Sequence, residues 1–311
     1  MNEVLDVGAL RLLQAIRDRG TLTAAGEALG VSQPAVSQHV RRLERRLGTS
    51  LLVRSGRTVR LTEAGEVLAR HGESVSAALR AATAEVAALT GLRSGVVRLA
   101  AFPSANATLV PRALARLRAE HPGLTVRLEE VEPPESLALV RQGAADVALA
   151  FTYPGVELGR GEDDLAGLTV LPLLEDPTLL AVPAGHPLAT AEHPRLRDAA
   201  EERWIAGCPR CRGHLLAAGQ DEGFVPDVVL ATDDHSALLG LVAAELGVAL
   251  LPGLVAPVAR GRDDVVLRSV LGVTARTVQA VTSPELLGVP AVAALLEAVR
   301  ASAQESAASA A

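Results

Sequence analysis

Thr23 to Arg42 reads TAAGEALGVSQPAVSQHVRR, two short helical stretches joined at Gly30. In the second stretch Val36, Val40, Leu43 and Leu47 recur at helical spacing and so must face a core. Gln33, Ser37, Gln38, Arg41, Arg42 and Arg45 then point outward. Amides and guanidiniums are the groups that pair with base edges and phosphates in a major groove. A helix with one apolar stripe and donors opposite is what a helix-turn-helix unit lays into DNA. Ser32 is expected to cap this helix, and Pro34 fits its first turn, where it shapes the turn or touches a thymine methyl.

Working outward, a helix is expected over Val7 to Asp18, with Leu10, Leu13 and Ile16 inward and Gly20 ending it. A second spans Thr23 to Leu29, capped by Thr23 and closed by a left-handed Gly30. Leu51 to Arg54 and Thr58 to Thr62 alternate like strands around Ser55-Gly56, so a hairpin wing follows. It would carry Arg54 and Arg57 to phosphates or the minor groove. These elements make residues 5–62 a winged helix-turn-helix domain. Residues 63–91 lack proline and read as one long linker helix. On it Leu68, Gly72, Val75, Leu79, Ala82, Val86 and Leu89 alternate steps of four and three. That seam fits dimerisation through Leu68, Val75, Leu79, Ala82, Val86 and Leu89, or a helix packed on its own chain.

The chain has 311 residues, 49% hydrophobic but only 2% aromatic, and no lysine. So few aromatic rings argue against recognition by base stacking. Net charge is −6, yet Arg41 to Arg60 holds seven arginines against Glu44 alone. A basic end on an acidic body points to a nucleic-acid module joined to a larger domain. The start MNEVLDVGALRLL has no basic n-region, and no apolar run reaches spanning length, so a cytoplasmic location without membrane contact is expected.

From Val96 the texture changes to strands alternating with helices, a parallel-sheet α/β pattern. Strands are expected at VVRLAAF, LTVRLEEV, DVALAF, LTVLPLL, TLLAVP, VVLAT, VALLP and ARTVQAVTS. Helices are expected at Pro111 to His121, Pro134 to Arg141, about Arg212 to Glu222, Asp234 to Glu245, and Pro290 to about Ser302. The tail AQESAASAA is expected to be disordered.

Three segments in order, AAGEALGVSQPAVSQHVRRLERRLGTSLLVRSGRTVRLTEAG, HPGLTVRLEEVEPPESLALVRQGAADVALAF and TDDHSALLGLVAAELGVALLP, resemble the LysR-type family of bacterial transcriptional regulators. The resemblance implies a multi-domain α/β protein: a winged helix-turn-helix, a linker helix and a two-lobed effector domain like type II periplasmic binding proteins, over residues 95–305. Lobe one would hold about 95–152 and 275–305, and lobe two about 165–268, with hinges near Thr152 and Arg268 to Thr274. It further implies a small-molecule effector in the cleft, a duplex operator, and assembly as a homodimer or homotetramer.

The DNA-contacting set expected from these readings is Ser32, Gln33, Pro34, Ser37, Gln38, Arg41, Arg42, Arg54 and Arg57. The effector set follows strand ends, where open α/β sheets bind ligands: Pro103, Ser104, Ala105, Asn106, Phe151, Thr152, Cys208, Thr232 and Asp233. Ser104 would hold an anionic group or simply cap its helix. Asp233 and Asp234 would cap first and touch ligand second. Phe102, Phe151 and Tyr153, three of five aromatics, would line the pocket or wedge the hinge. Cys208-Pro-Arg-Cys211 with His214 has a spacing that permits zinc ligation but only three local ligands; arginines beside the thiols allow a redox-controlled regulator, and otherwise the pair lines the pocket or packs at the cleft edge. A thiol oxidoreductase would need this motif early in a thioredoxin-like unit, and a transporter's solute-binding component would not carry the basic module. No catalytic set, cofactor motif or metal site is read from the chain.

Overall fold

The computed structural model describes residues 5–55, 58–89, 95–155 and 165–310. The chain divides into two compact units, Met1–Thr90 with Arg141–Gly143, and Gly91–Val140 with Ala144–Ala311.

The first unit contains α1 (Val7–Arg19), α2 (Leu22–Leu29), α3 (Gln33–Leu47), β1 (Leu52–Ser55), β2 (Thr58–Leu61) and α4 (Glu63–Leu89). Leu12, Ile16, Leu22, Ala25, Val36 and Val40 form one core cluster, and Ala9, Leu13, Leu43, Leu51 and Ala69 another. The cap of α2 is Thr21, whose side chain accepts from Ala24 N at 3.2 Å, not Thr23. This earlier start brings Leu22 into the helix and the core, while Thr23 stays exposed. Ser32 caps α3 as expected, accepting from Ala35 N. Gly30 and Gly48 end α2 and α3 with positive φ, where a Cβ would be strained. The wing strands pair antiparallel, Leu52 with Leu61 through Ser55 with Thr58. Arg57 and the side chain of Arg54 lie outside the described residues.

The heptad seam on α4 divides. At Gly72 a Cβ would sit 3.0 Å from Leu10 Cβ, so this position lets α4 approach α1 closely. Leu68 packs partly buried on the same domain's core, and Glu73 receives Arg17 of α1 at 2.6 Å. Val75 is half-buried. Higher up, Leu79 is 46% and Val86 60% exposed, and Ala82 is exposed too. The Leu89 side chain lies outside the described residues.

The second unit runs β3 (Gly95–Ala101), α5 (Pro103–Ala107), α6 (Leu109–Glu120), β4 (Leu124–Glu130), α7 (Glu135–Arg141), β5 (Val147–Thr152), β6 (Thr169–Asp176), β7 (Thr178–Pro183), β8 (Arg203–Ala206), α8 (Pro209–Asp221), β9 (Asp227–Ala231), α9 (His235–Ala243), β10 (Ala249–Pro252), β11 (Val265–Ser269), β12 (Arg276–Thr282) and α10 (Pro290–Ala310). One lobe is a five-stranded sheet ordered β4-β3-β5-β12-β6. Here β3 runs parallel to β4 and β5, whereas β12 is antiparallel to β5 and β6. The other lobe joins the antiparallel β10-β7-β11 to the parallel pair β8-β9 through a bridge from Trp204 to Val248. The sheets are thus mixed, not purely parallel.

The lobe boundary also differs from expectation. Strand β6 pairs with β12 over its whole length and belongs to the first lobe. The chain therefore crosses at Asp176–Thr178, not at Thr152, which pairs with Thr277 inside the first lobe's sheet. It returns just before Arg276. The two crossings are tied, because Thr178 Oγ1 donates to Thr274 O at 2.9 Å. The tail expected to be disordered continues α10 to Ala310. Alanine-rich sequence favours helix, and Ser302, buried Ala303 and Glu305 anchor it, Ser302 Oγ to Leu109 O and Arg116 to Glu305.

Candidate nucleic-acid interface and effector cleft

Helix α3 buries Val36, Val40 and Leu43 and turns its other face outward. Gln33, Pro34, Gln38, Arg41, Arg42 and Arg45 are exposed, and Ser37 is half-buried. An open groove of about 870 Å³ runs along this face, lined by Gln33, Pro34, Ser37, Gln38, Arg41 and Arg45 among others. Arg42 lies off the groove wall, and Ser32 is engaged as the cap. Glu44, the lone acid of the arginine segment, accepts from Leu51 N at 2.8 Å and Leu52 N at 3.3 Å. Its charge serves to hold the wing against α3.

The hinge of the second unit is built on Arg276, the first residue of β12. It is 1% exposed, as is Asp176 at the end of β6, its register partner. Its Nε donates to Asp176 Oδ2 at 2.8 Å, and its Nη2 donates to Ser104 Oγ at 2.8 Å. The guanidinium lies 4.4 Å from the Phe151 ring centre and 4.9 Å from that of Phe102. Burial pushes the guanidinium toward neutrality, but Asp176, Tyr153 and Cys211 together outweigh it and raise the Arg276 pKa. Burial pushes Asp176 up, countered by Arg276 and by the backbone N–H of Leu254, 2.9 Å away.

Beside this tie, Cys208 caps α8 and Cys211 sits in its first turn. The helix begins at Pro209, earlier than expected, because the Cys208 sulfur accepts from Cys211 N at 3.4 Å. Both cysteines are free thiols, with sulfurs 3.2 Å apart. The Tyr153 hydroxyl is 3.8 Å from Cys211 Sγ, and its ring stacks on His214 at 3.9 Å. The hydrogen bond from Cys208 lowers the Cys211 pKa and correspondingly raises that of Cys208. Burial pushes Glu132 up to about 8, helped by Cys208, and its Oε2 has no hydrogen-bond partner among the described residues. Burial pushes His214 and His235 down to about 4, so both are neutral.

The lobes close on a cavity of about 10 Å³, room for roughly one water. Its walls include Ser104, Glu132, Cys208, Cys211, Asp233 and His235. Of the expected effector set, Ser104, Cys208 and Asp233 therefore meet there. Ser104 does not cap α5, whose N-cap is Phe102 without a side-chain bond; its hydroxyl oxygen accepts from Arg276 Nη2. Asp234, not Asp233, caps α9, and Thr232 accepts from Asp234 N. Asn106 turns to Ala101 O and Glu130. Pro103, Ala105, Phe151, Thr152 and Thr232 are not on the cavity wall. Phe102, Phe151 and Tyr153 stack edge to face in the hinge, as wedges.

A family model described as the LysR substrate binding domain matches residues 90–304, and one described as bacterial regulatory helix-turn-helix protein, lysR family, matches residues 7–66. The chain belongs to the LysR family. A probable hydrogen peroxide-inducible genes activator of Mycobacterium avium is 38% identical over 184 residues, 59% of this chain and 56% of that protein, so the match spans little more than half of that relative. An SDS degradation transcriptional activation protein of Pseudomonas sp. is 34% identical over 245 residues, 76% of each chain. A full-length OxyR variant from Pseudomonas aeruginosa has the same fold, with a TM-score of 0.67 at 21% identity, covering 96% of this chain and 95% of that one.

Within this LysR-family chain, sequence reading missed Arg276, Asp176, Glu132 and His235. One signal was available: Arg276 is the only charge in the strand RTVQAVT. A lone arginine heading an otherwise uncharged buried strand needs a buried counter-charge. No local pattern names Asp176 as that partner, 100 residues away in sequence.

Proposed function

We propose that this protein is a DNA-binding transcriptional regulator that lays α3 into a duplex operator and is controlled by a small molecule bound between its lobes. The outer face of α3 carries the reading: amides and arginines line one open groove above a buried apolar stripe. These groups suit base edges and phosphates. On the sequence alone, Arg54 and Arg57 are assigned to phosphates or the minor groove. The chain works in the cytoplasm as a homodimer or homotetramer, joined through the exposed Leu79, Ala82 and Val86 on α4, with Leu89 continuing the seam. The effector enters at Ser104, Cys208 and Asp233 when the lobes part. A ligand that favours one lobe arrangement shifts the population of subunit arrangements and so operator affinity. The chain carries out no reaction in this account.

A second input is redox control through Cys208 and Cys211. The 3.2 Å between their sulfurs favours it, as does the name of the M. avium relative. The test of the main reading is selection of bound duplexes from fragmented genomic DNA by the full-length protein, wild type against Arg41→Ala with Arg45→Ala. Enrichment of discrete fragments by the wild type alone is expected. No enrichment over scrambled duplex overturns the proposal.

A further inference from the structure

The two cysteines are the chain's only thiols and sit together on the wall of the closed cavity. Two bonds of about 2.3 Å, the length of a metal–thiolate bond, that reach sulfurs 3.2 Å apart meet at about 90°. That angle selects among soft ions, because geometry is diagnostic of the bound centre. Tetrahedral zinc asks for a wider angle and four ligands. Among the described residues no three His, Cys, Asp or Glu side chains converge as a ligand set. A two-coordinate soft cation asks for a straight line between its sulfurs, which this pair does not offer. A disulfide at ~2.05 Å is the redox alternative, and it forms only when an oxidant takes up two electrons. A trivalent p-block centre keeps a lone pair and bonds through orbitals set at nearly right angles, so it fits the pair as it stands.

We propose that Cys208 and Cys211 form a two-sulfur clamp for a trivalent metalloid, arsenic(III) or antimony(III), delivered as the neutral hydroxide. With arsenous acid, two S–H and two As–O bonds break, two As–S bonds form, and two waters leave. No electrons are transferred. The third bond keeps a hydroxyl, and Tyr153, 3.8 Å from Cys211 Sγ, places its own hydroxyl near that position. The closed cavity has room for roughly one water, so the hydroxide reaches the sulfurs only when the lobes part. The clamp rests on the regulator reading only for any consequence at DNA, which would follow from its place beside the Asp176–Arg276 hinge.

Reduced full-length protein is titrated with sodium arsenite while free thiols are counted and intact mass is recorded. One equivalent should remove both thiols and add one arsenic. Cys208→Ser and Cys211→Ser should each weaken binding by on the order of 100-fold or more, because the second bond of a chelate closes at high local concentration. Excess zinc should leave the wild-type result unchanged, a check that does not depend on the variants folding. The proposal is overturned if both thiols stay titratable at micromolar arsenite, if a single-cysteine variant binds as tightly, if zinc displaces arsenic, or if thiols vanish with a mass loss of two hydrogens and no arsenic. No DNA enters these measurements. A failure here therefore leaves the regulator reading standing, and a failure of operator binding leaves this result standing.

Discussion

Replacing Arg276 with methionine tests the hinge most directly. Methionine keeps much of the volume and removes the charge. It leaves Asp176, 1% exposed, without its guanidinium partner. Breaking a buried pair by removing one side typically costs about 3–5 kcal/mol. The backbone N–H of Leu254, still 2.9 Å from Asp176 Oδ1, offsets part of that, so the lower half of the range is expected. Lost contacts between the guanidinium and the Phe102 and Phe151 rings add on the order of 1 kcal/mol. In a unit of this size about 4 kcal/mol corresponds to a fall of roughly 8–16 °C in Tm. The pH dependence fixes the cause. Burial already raises Asp176, and loss of Arg276 raises it further. A carboxyl whose folded pKa lies above its unfolded value contributes stability that is complete below the unfolded pKa and lost as pH rises through the folded one. The variant's deficit should therefore shrink between pH 8 and pH 5. Calorimetry on the full-length chain at both pH values is the assay, with Asp176→Asn/Arg276→Met as the partner variant. A deficit that is equal at the two pH values, or a double variant no better than the single one, refutes the reasoning.

Other perturbations separate the remaining roles. Glu132→Gln should stabilise the protein increasingly as pH climbs from 5 to 8, since the folded pKa of about 8 makes ionisation costly across that window; urea midpoints at the two pH values check it. Arg41→Ala should lower operator affinity and reduce the slope of log affinity against log salt by about 1, read by fluorescence anisotropy, if it meets a phosphate. Val86→Glu, at a position 60% exposed, should leave monomer stability within about 0.5 kcal/mol yet dissociate the dimer on analytical ultracentrifugation. Gly72→Leu should instead lower the Tm of the first unit, because its Cβ meets Leu10 at 3.0 Å; an unchanged Tm would place that contact elsewhere.

The local rules of the chain were enough for α3 and the turns that flank it. Apolar spacing in α3, the Ser32 cap and left-handed Gly30 and Gly48 each act within a few residues, so the exposed polar face at Gln33, Gln38 and Arg41 was visible without any tertiary contact. The cleft was different. Its motif, Cys208-Pro-Arg-Cys211, could be seen, but the groups that give it a setting come from distant segments: Glu132, Asp176, Tyr153 and Arg276. The heptad on α4 shows the same limit, since one periodicity served intrachain packing at Gly72 and left Leu79 and Val86 exposed. Sequence by itself determined most helices and strands, because those choices are set by short-range geometry, but not where α2 and α8 start or that the tail is helical. Only the tertiary structure decided which strand joins which lobe and which carboxylate neutralises Arg276, because pairing across 100 residues depends on how sheets close, and no local spacing encodes it.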